Sequence, residues 1–440
     1  MATCVLVLAM WSLQASGGAV TPVSPPLELT IDDAVAVAVD RSFQVQRSER
    51  DQRIAQERTR AARGAMGPRL DLSLGADQAQ RYYEFNGNYD YSVATPQFAT
   101  TAGVSASYDF DISGVRRRSL EQTRLAQQSG SIDAEQTILN TAVDARLSYM
   151  QALRAQQQVE VDEQYLFLLD RLIANARSRQ ASVVDFLMTE RSNSALILDQ
   201  SRQAADLAIS SLRQQLRLET DRPLRLTSRP TAALAVPSFA RLVEIASAHR
   251  SDLRQSEIRL RQARLAQIQA SDFRRPSLRA SAFANHTLTG ETFISHGKGL
   301  GRTRSAGIGL SFNLPLWSYD GGALDSARRI AAIQAEQALA DSEEAKERAG
   351  NEISAELIAI DRDRARMERT PDSAQARQSL DRAEEQMLAA SPKDATALLA
   401  QISNARQNWR ASLTLKYDAL TAYYAEYFRL QRSLGTDLAR

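Results

Sequence analysis

The sequence predicts a mostly helical protein in which one order of elements, including a pair of β-strands, occurs twice. The chain has 440 residues but only 19 glycines and 12 prolines, fewer chain breakers than an all-β fold with many turns requires. Residues 116–176 contain no proline and a single glycine, Gly130. Segments of the first half also match segments of the second half in the same order. These observations favour long helices and a tandem duplication.

The duplication is visible at an offset of about 208 residues. Residues 31–38 (IDDAVAVA) resemble residues 239–246 (FARLVEIA), and further matches keep nearly the same offset along the chain. One chance match is common, but a sustained register is not. We therefore expect a first repeat over residues 20–228 and a second repeat over residues 229–440.

The N-terminus resembles a targeting segment. A short apolar run at residues 5–13 is followed by small residues that end at Ala19. This order is typical of a signal peptide, which we expect over residues 1–19. No Lys or Arg precedes the apolar run, so an apolar N-terminal tail is the alternative.

Each repeat is expected to begin with one helix, over residues 31–64 and 239–273. Asp32 and Asp33 suit the positive N-terminal end of the first helix. Pro68 and Pro276 follow the two helices, and a proline disfavours helical conformation in the residue before it.

A pair of strands follows in each repeat, within residues 68–112 and 276–316. Apolar and polar residues alternate there with a period near two, which is typical of strands with one buried face. The loop aromatics of residues 82–98 suit a membrane-interface girdle or packing against one another. The apolar positions that we expect to face lipid or a neighbouring strand are Val104, Tyr108, Phe110, Ile308, Leu310 and Phe312.

The rest of each repeat predicts a long helical hairpin, over residues 116–218 and 323–434. A helix of about 60 residues is about 90 Å long, and its narrow apolar stripe requires lengthwise packing on partners. Pro371 should interrupt the second outgoing helix. At the two hairpin turns, we expect Ser182 and Asp394 to be the N-caps of the returning helices.

Composition argues against enzymatic and nucleic-acid-binding functions. Lys and Arg total 54 against 52 Asp and Glu, so no basic field for nucleic acid exists. One cysteine and three histidines exclude a Cys-rich zinc site and a disulfide framework. His286 and His296, in or beside a loop, are expected to be surface residues. No catalytic or phosphate-binding motif is present. We therefore expect that the protein is not an enzyme and that it binds neither a cofactor nor a metal ion.

In order and spacing, these segments resemble the TolC-like outer-membrane efflux family over almost the whole chain. The resemblance is carried by residues 29–35 (LTIDDAV), 63–70 (RGAMGPRL) and 310–322 (LSFNLPLWSYDGG), and by Leu434 with Gly435 near the C-terminus. Each segment alone is a weak indication of the family, whereas the order, the doubling and the spacing of the segments are specific.

The resemblance implies a homotrimer in the outer membrane of a Gram-negative bacterium. Three protomers of four strands would close a 12-stranded barrel, and the long helices would continue it as a tunnel through the periplasm. The implied function is export for an inner-membrane pump joined by a periplasmic adaptor (membrane fusion) protein, in multidrug efflux or type I secretion.

The resemblance also implies roles for the hairpin turns. They would contact the adaptor through Arg177, Arg179, Gln180, Ser182, Ser391, Pro392, Lys393 and Asp394. A periplasmic gate would use Asp185 and Asp394, although residues 398–404, where the family often has acidic residues, contain none. Solvated or capping roles for these two carboxylates are the alternative.

Two rival functions remain. A periplasmic coiled-coil scaffold or adaptor without a channel would explain the long helices and the doubling, but not two strand pairs at matching places or an export segment. A periplasmic hydrolase would require a reactive constellation that the sequence lacks.

Overall fold

The computed structural model describes residues 27–79, 97–177, 181–218, 223–229, 234–271, 276–290, 301–314, 322–389 and 392–438. The expected signal peptide and the aromatic loop residues Tyr82, Tyr83, Phe85, Tyr89 and Tyr91 lie outside these ranges. Within them the chain forms nine helices and six strands. No helix of the described chain combines the length and the apolar character that crossing a bilayer demands.

Two long helical hairpins dominate the structure. In the first, α3 (Val115–Arg177) has 63 residues and returns as α4 (Ala181–Leu216). Such a helix is about 95 Å long. In the second, α7 (Ala323–Glu368) and α8 (Ser373–Ala389) run outward, and α9 (Pro392–Leu434) returns. The predicted hairpins are therefore confirmed.

The predicted interruption at Pro371 is also confirmed. The proline lies between the end of α7 and the start of α8, because it cannot donate a backbone hydrogen bond to the preceding turn. Asp372 then begins the new helix, since its Oδ1 accepts a hydrogen bond of 2.9 Å from the backbone N–H of Ala374.

The expectation of one continuous helix at the start of each repeat is wrong. The first forms α1 (Ile31–Arg41) and α2 (Phe43–Gly64), and the second forms α5 (Phe239–His249) and α6 (Ser251–Ser271). Both predicted helices are interrupted by one residue with an extended backbone, Ser42 in the first helix and Arg250 in the second. The Ser42 side chain accepts from the Val45 N–H and so caps α2.

Four of the strands form one antiparallel sheet in the order β2 (Arg69–Ala79), β3 (Gln97–Phe110), β5 (Ser277–Gly290) and β6 (Gly301–Asn313). The central β3–β5 pair joins the two halves of the chain. The strand ends differ slightly from expectation, since Ile112 and Leu314 lie just beyond β3 and β6.

A second, two-stranded sheet was not predicted. The strands β1 (Leu27–Leu29) and β4 (Leu224–Leu226) pair in parallel near the middle of the hairpins. Leu29 and Leu226 are buried there beside Tyr149 of α3. The Tyr149 hydroxyl donates to the Leu29 carbonyl at 3.0 Å and accepts from the Ser228 N–H at 3.0 Å. This pair ties the chain before α1 to the segment between α4 and α5.

Five hydrophobic clusters hold the helices of the described chain together, and the two that join α6 to α3 and to α7 are small. The largest joins α1, α3, α4 and α9 around the small sheet, and a second joins α5, α7 and α9. The third lies toward the turns of the hairpins, where α3 and α4 pack on α8 and α9 around Leu169, Leu187, Leu380 and Trp409. The hairpins therefore pack lengthwise, as the narrow apolar stripes require.

Candidate functional site: the exposed sheet face and the hairpin ends

One face of the four-stranded sheet is apolar and exposed. The strand register places Leu72 opposite Val104, Tyr108 opposite Ala280, and Ala280 opposite Leu310. Because side chains alternate between faces, these positions share one face. Exposure reaches 91% for Ile308 and 71% for Leu310. The face consists of Leu70, Leu72, Leu74, Val104, Ala106, Tyr108, Phe110, Leu278, Ala280, Ala282, Ala284, Ala306, Ile308, Leu310 and Phe312.

The six residues expected to face lipid or a neighbouring strand all lie on this face: Val104, Tyr108, Phe110, Ile308, Leu310 and Phe312. A contiguous exposed apolar surface of this kind marks contact with a membrane or with another chain. No other part of the described chain covers this face.

The opposite face is mainly polar and more crowded, although Phe283 also lies on it. Asp109 and Arg279 form an ion pair there, and the hydroxyls of Thr101 and Thr287 lie 3.2 Å apart. A Cβ atom added at Gly103 would meet the Asn285 amide at 2.2 Å. Side chains that crowd on one face and spread on the other are consistent with a sheet that is concave on its polar side.

Both edges of the sheet are open. Within the described chain, β2 pairs only with β3 and β6 pairs only with β5. The outer backbone groups of β2 and β6 therefore have no strand partner in this protomer. Such edges are templates for pairing with another chain.

Residues at the end of β3 form hydrogen bonds with the start of α3. The Asp111 carboxylate accepts from the backbone N–H groups of Arg116 and Arg117, each at 3.0 Å. The Arg116 guanidinium donates to the Asp109 carbonyl at 2.7 Å. A carboxylate at a helix N-terminus satisfies unpaired N–H groups and favours the helix dipole. The start of α3 is thus bonded to the end of β3.

A buried ionic network connects three helices near the hairpin turns. Arg406 of α9 is fully buried and donates to Glu190 of α4 at 3.1 Å. The Tyr165 hydroxyl of α3 donates to the other oxygen of Glu190 at 2.6 Å. Burial, and next the hydrogen bond to Glu190, raise the pKa of Tyr165. The network holds the first hairpin against the returning helix of the second.

A second charged group continues this network. Asp162 of α3 is buried and lies 2.6 Å from Arg410 of α9, and it also accepts from Gln158 at 3.1 Å. Nearby, burial raises the pKa of Glu384 on α8. None of these residues can be recognised from the sequence, because their partners lie on different helices and no local motif marks them.

The hairpin turns are only partly described. Arg179, Gln180 and Ser391 lie outside the described residues, as do the side chains of Ser182, Pro392, Lys393 and Asp394. Arg177 is the exposed last residue of α3, and Asp185 is exposed in the first turns of α4.

Two expectations at the turns are corrected. Ser182 and Asp394 were expected as N-caps, but α4 begins at Ala181 and α9 at Pro392, so both residues lie within a first turn. Proline is well suited to the first helical position, because its missing N–H is not required there.

His286, expected in or beside a loop, lies on β5, and His296 is outside the described residues.

The described residues contain no group of three or more His, Cys, Asp or Glu side chains arranged to hold a metal ion. The described chain is distinguished instead by the exposed apolar face of its sheet and by its long packed helices.

Comparison with solved structures identifies the fold. Over 92% of the chain, the structure matches the outer membrane protein VceC from Vibrio cholerae with a TM-score of 0.69, at 17% identity and covering 96% of that chain. It matches the outer-membrane channel OprN with a TM-score of 0.71, at 18% identity and covering 90% of that chain. The open state of the Neisseria gonorrhoeae MtrE outer membrane channel gives 0.70, at 15% identity and covering 89% of that chain.

No protein-family model and no curated protein sequence matches the chain. OprN and MtrE are outer-membrane channels and VceC is an outer membrane protein, and the chain has their TolC-like fold.

Proposed function

We propose that three copies of this chain form a channel-tunnel in the outer membrane of a Gram-negative bacterium. In this proposal, a pump in the inner membrane and a periplasmic adaptor deliver substrates into the tunnel, in multidrug efflux or type I secretion. The observation that carries the proposal is the sheet, with its exposed apolar face, its polar opposite face and its two open edges.

Closure by other copies follows from the physics of a bilayer. A sheet in lipid cannot leave edge N–H and C=O groups unpaired, because no water is present to bond them. Pairing β6 of one copy with β2 of the next removes both edges. Three copies of four strands give a closed barrel of 12 strands, with the apolar face toward lipid and the polar face toward the lumen.

The helices continue the same lumen. Asp111 bonds the start of α3 to the end of β3, so in this proposal the rods extend beyond that end of the sheet, and their length suits a path through the periplasm. The hairpin turns then lie farthest from the membrane. We propose that Arg177, Arg179, Lys393 and their neighbours contact the adaptor there, and that Asp185 and Asp394 contribute to closing the tunnel at rest.

Paired substitutions on one strand test this proposal. Leu310→Arg places a charge on the apolar face, where it should cost about 2–4 kcal/mol near the bilayer midplane. Ser311→Arg, one residue away on the opposite face, is the control. We expect Leu310→Arg to reduce the outer-membrane fraction and the heat-modifiable gel species, and Ser311→Arg to assemble and conduct in planar bilayers.

Equal outer-membrane assembly of both variants would contradict a lipid-facing surface. A wild-type protein recovered in the soluble periplasmic fraction, without conductance, would favour the coiled-coil scaffold instead.

A further inference from the structure

The apolar face of the sheet ends in a group of basic side chains. On β6, Arg302 and Arg304 share the face with Ala306 and Ile308, since side chains of the same parity point the same way. The register places His286 of β5 directly opposite Arg304. These residues lie toward the ends of the strands that are remote from the helices.

A groove leads from the apolar face to this basic group. It has a volume of about 440 Å³, and small side chains line its centre: Ala102, Ala284 and Ala306. Leu72 and Val104 form its apolar side, and His286 and Arg304 close its other end. The groove is thus apolar along its length and basic at one end, the complement of a lipid with an anionic headgroup.

The basic group has no carboxylate partner in the described chain. Neither Arg302 nor Arg304 forms an ion pair with a described residue, and both are exposed. The buried Nδ1 of His286 has no hydrogen-bond partner among them.

Pairing with another copy would not neutralise these charges. Asp71 and Asp77 of β2 lie on the face opposite to Leu70, Leu72 and Leu74. If β2 joined β6 with the two apolar faces aligned, both carboxylates would lie on the lumen side.

The height of the basic group suits a membrane interface. Eight residues separate Phe312 from Arg304, a distance of about 27 Å along the strand at about 3.4 Å per residue. At a strand tilt of about 40°, this is a height of about 20 Å, near the full height of about 25 Å of an apolar band. Arg302 lies two residues beyond Arg304 on β6, farther from Phe312. Long arginine side chains at such a boundary reach headgroup phosphates.

We propose that this end of the sheet binds a phosphorylated lipid of the outer leaflet, with acyl chains in the groove and phosphate at Arg302, Arg304 and His286. The assignment to the outer leaflet rests on the proposed function, which puts the helices in the periplasm and the basic group at the opposite interface. Guanidinium groups bind phosphate oxygens in bidentate fashion, which favours a phosphorylated headgroup over a zwitterionic one with a shielded phosphate.

The test is lipid binding to the purified wild-type protein in detergent, followed by native mass spectrometry. The probes are bisphosphorylated lipid A, phosphatidylcholine and inorganic phosphate. We expect bisphosphorylated lipid A to bind at least tenfold more tightly than phosphatidylcholine. Arg302→Gln with Arg304→Gln should reduce that preference about tenfold, since each arginine near an anionic lipid surface contributes to binding.

Single substitutions provide a matched control. Arg304→Gln should weaken the binding of bisphosphorylated lipid A, whereas Arg69→Gln, which removes the same charge from the other face of the same sheet, should not. Equal binding of both lipids, or no effect of the double substitution, would overturn the inference. Binding of inorganic phosphate without any lipid preference would identify a free-anion site and would overturn it too.

Conductance of the same preparations separates the two proposals. A wild-type protein that conducts in planar bilayers but shows no preference for phosphorylated lipid overturns this inference alone. One that neither conducts nor binds the lipid overturns both.

Discussion

At the C-terminal end of α9, Gly435 has a φ of +76°, a conformation that side chains with a Cβ rarely adopt. Its Cα also faces the junction of α5 and α6, where an added Cβ would lie 2.7 Å from the His249 carbonyl. Beside it, the buried Arg250 donates to the Ser433 carbonyl at 3.2 Å, at the last turn of α9. The junction and the helix end therefore hold each other in place.

Gly435→Ala tests this close approach. Positive φ and the backbone clash should together lower the free energy of unfolding by about 2–4 kcal/mol. Gly350→Ala is the control, because Gly350 lies within α7 and an added Cβ there meets nothing within 4 Å. That substitution should raise stability by about 1 kcal/mol. Thermal melting of the two variants beside wild type measures both, and equal melting temperatures would contradict the close approach.

Glu356 of α7 makes stability depend on pH. Burial, followed by the neighbouring Glu426, raises its pKa from 4.5 to about 7, while Arg429 opposes the shift. Glu352 also raises this pKa and Arg250 lowers it. Between pH 4.5 and 7, the folded state keeps a proton that the unfolded state has released. Stability therefore falls as pH rises through this window, and the loss is complete above about pH 7.

Glu356→Gln removes that loss. We expect the melting temperature to rise at pH 8, by an amount that corresponds to about 1–3 kcal/mol, and to change little at pH 4, where Glu356 is protonated in both states. Glu347→Gln, at an exposed position of the same helix, should show no such difference between the two pH values. A pH-independent effect of Glu356→Gln would show that the buried carboxyl is not responsible.

At the scale of elements, the long helices were predictable because breakers are so rare within them, and Pro371 marked the one interruption correctly. The breaks between α1 and α2 and between α5 and α6 were not, since no glycine or proline occurs there. The strands β1 and β4 have three residues each, too few for a period to be recognised. The apolar sheet face was predictable, because alternation assigns each residue to a face before the pairing is known.

The ionic network near the hairpin turns could not be predicted, because its members are distant in sequence. Arg406 and Glu190 are 216 residues apart, and only the packing of α4 against α9 brings them together. Each residue alone resembles any charged residue of a long polar helix. Burial is what distinguishes them, and burial depends on the tertiary arrangement.

Glu190→Gln tests how strongly this network joins the hairpins. Arg406 would remain fully buried without a carboxylate partner at 3.1 Å, and breaking a buried pair in this way costs about 3–5 kcal/mol. Glu163→Gln removes the exposed pair with Arg202, which also joins α3 and α4, and should cost about 0–1 kcal/mol. Thermal melting gives the two costs, and hydrogen exchange along α9 locates the loosening. Equal, small effects would mean that the buried pair is no stronger than the exposed one.

At the scale of the whole molecule, one protomer leaves an apolar surface exposed and two strand edges unpaired. Its helices are longer than a single compact domain can bury. Each of these features is unfavourable in an isolated chain, and the proposed association of copies around a common axis would remove all of them. In the proposed function, the tunnel, the lipid contact and the docking of partners at the hairpin turns would all depend on that association.

The mass of the detergent-solubilised particle tests this claim most directly. Light scattering with correction for bound detergent should give about three times the mass of the processed chain, which is 48.6 kDa before any cleavage. The trimer should persist on dilution, because separating the copies would expose the edges of β2 and β6 in the apolar micelle. A stable, folded monomer with its sheet intact would rule out the proposed barrel of three copies.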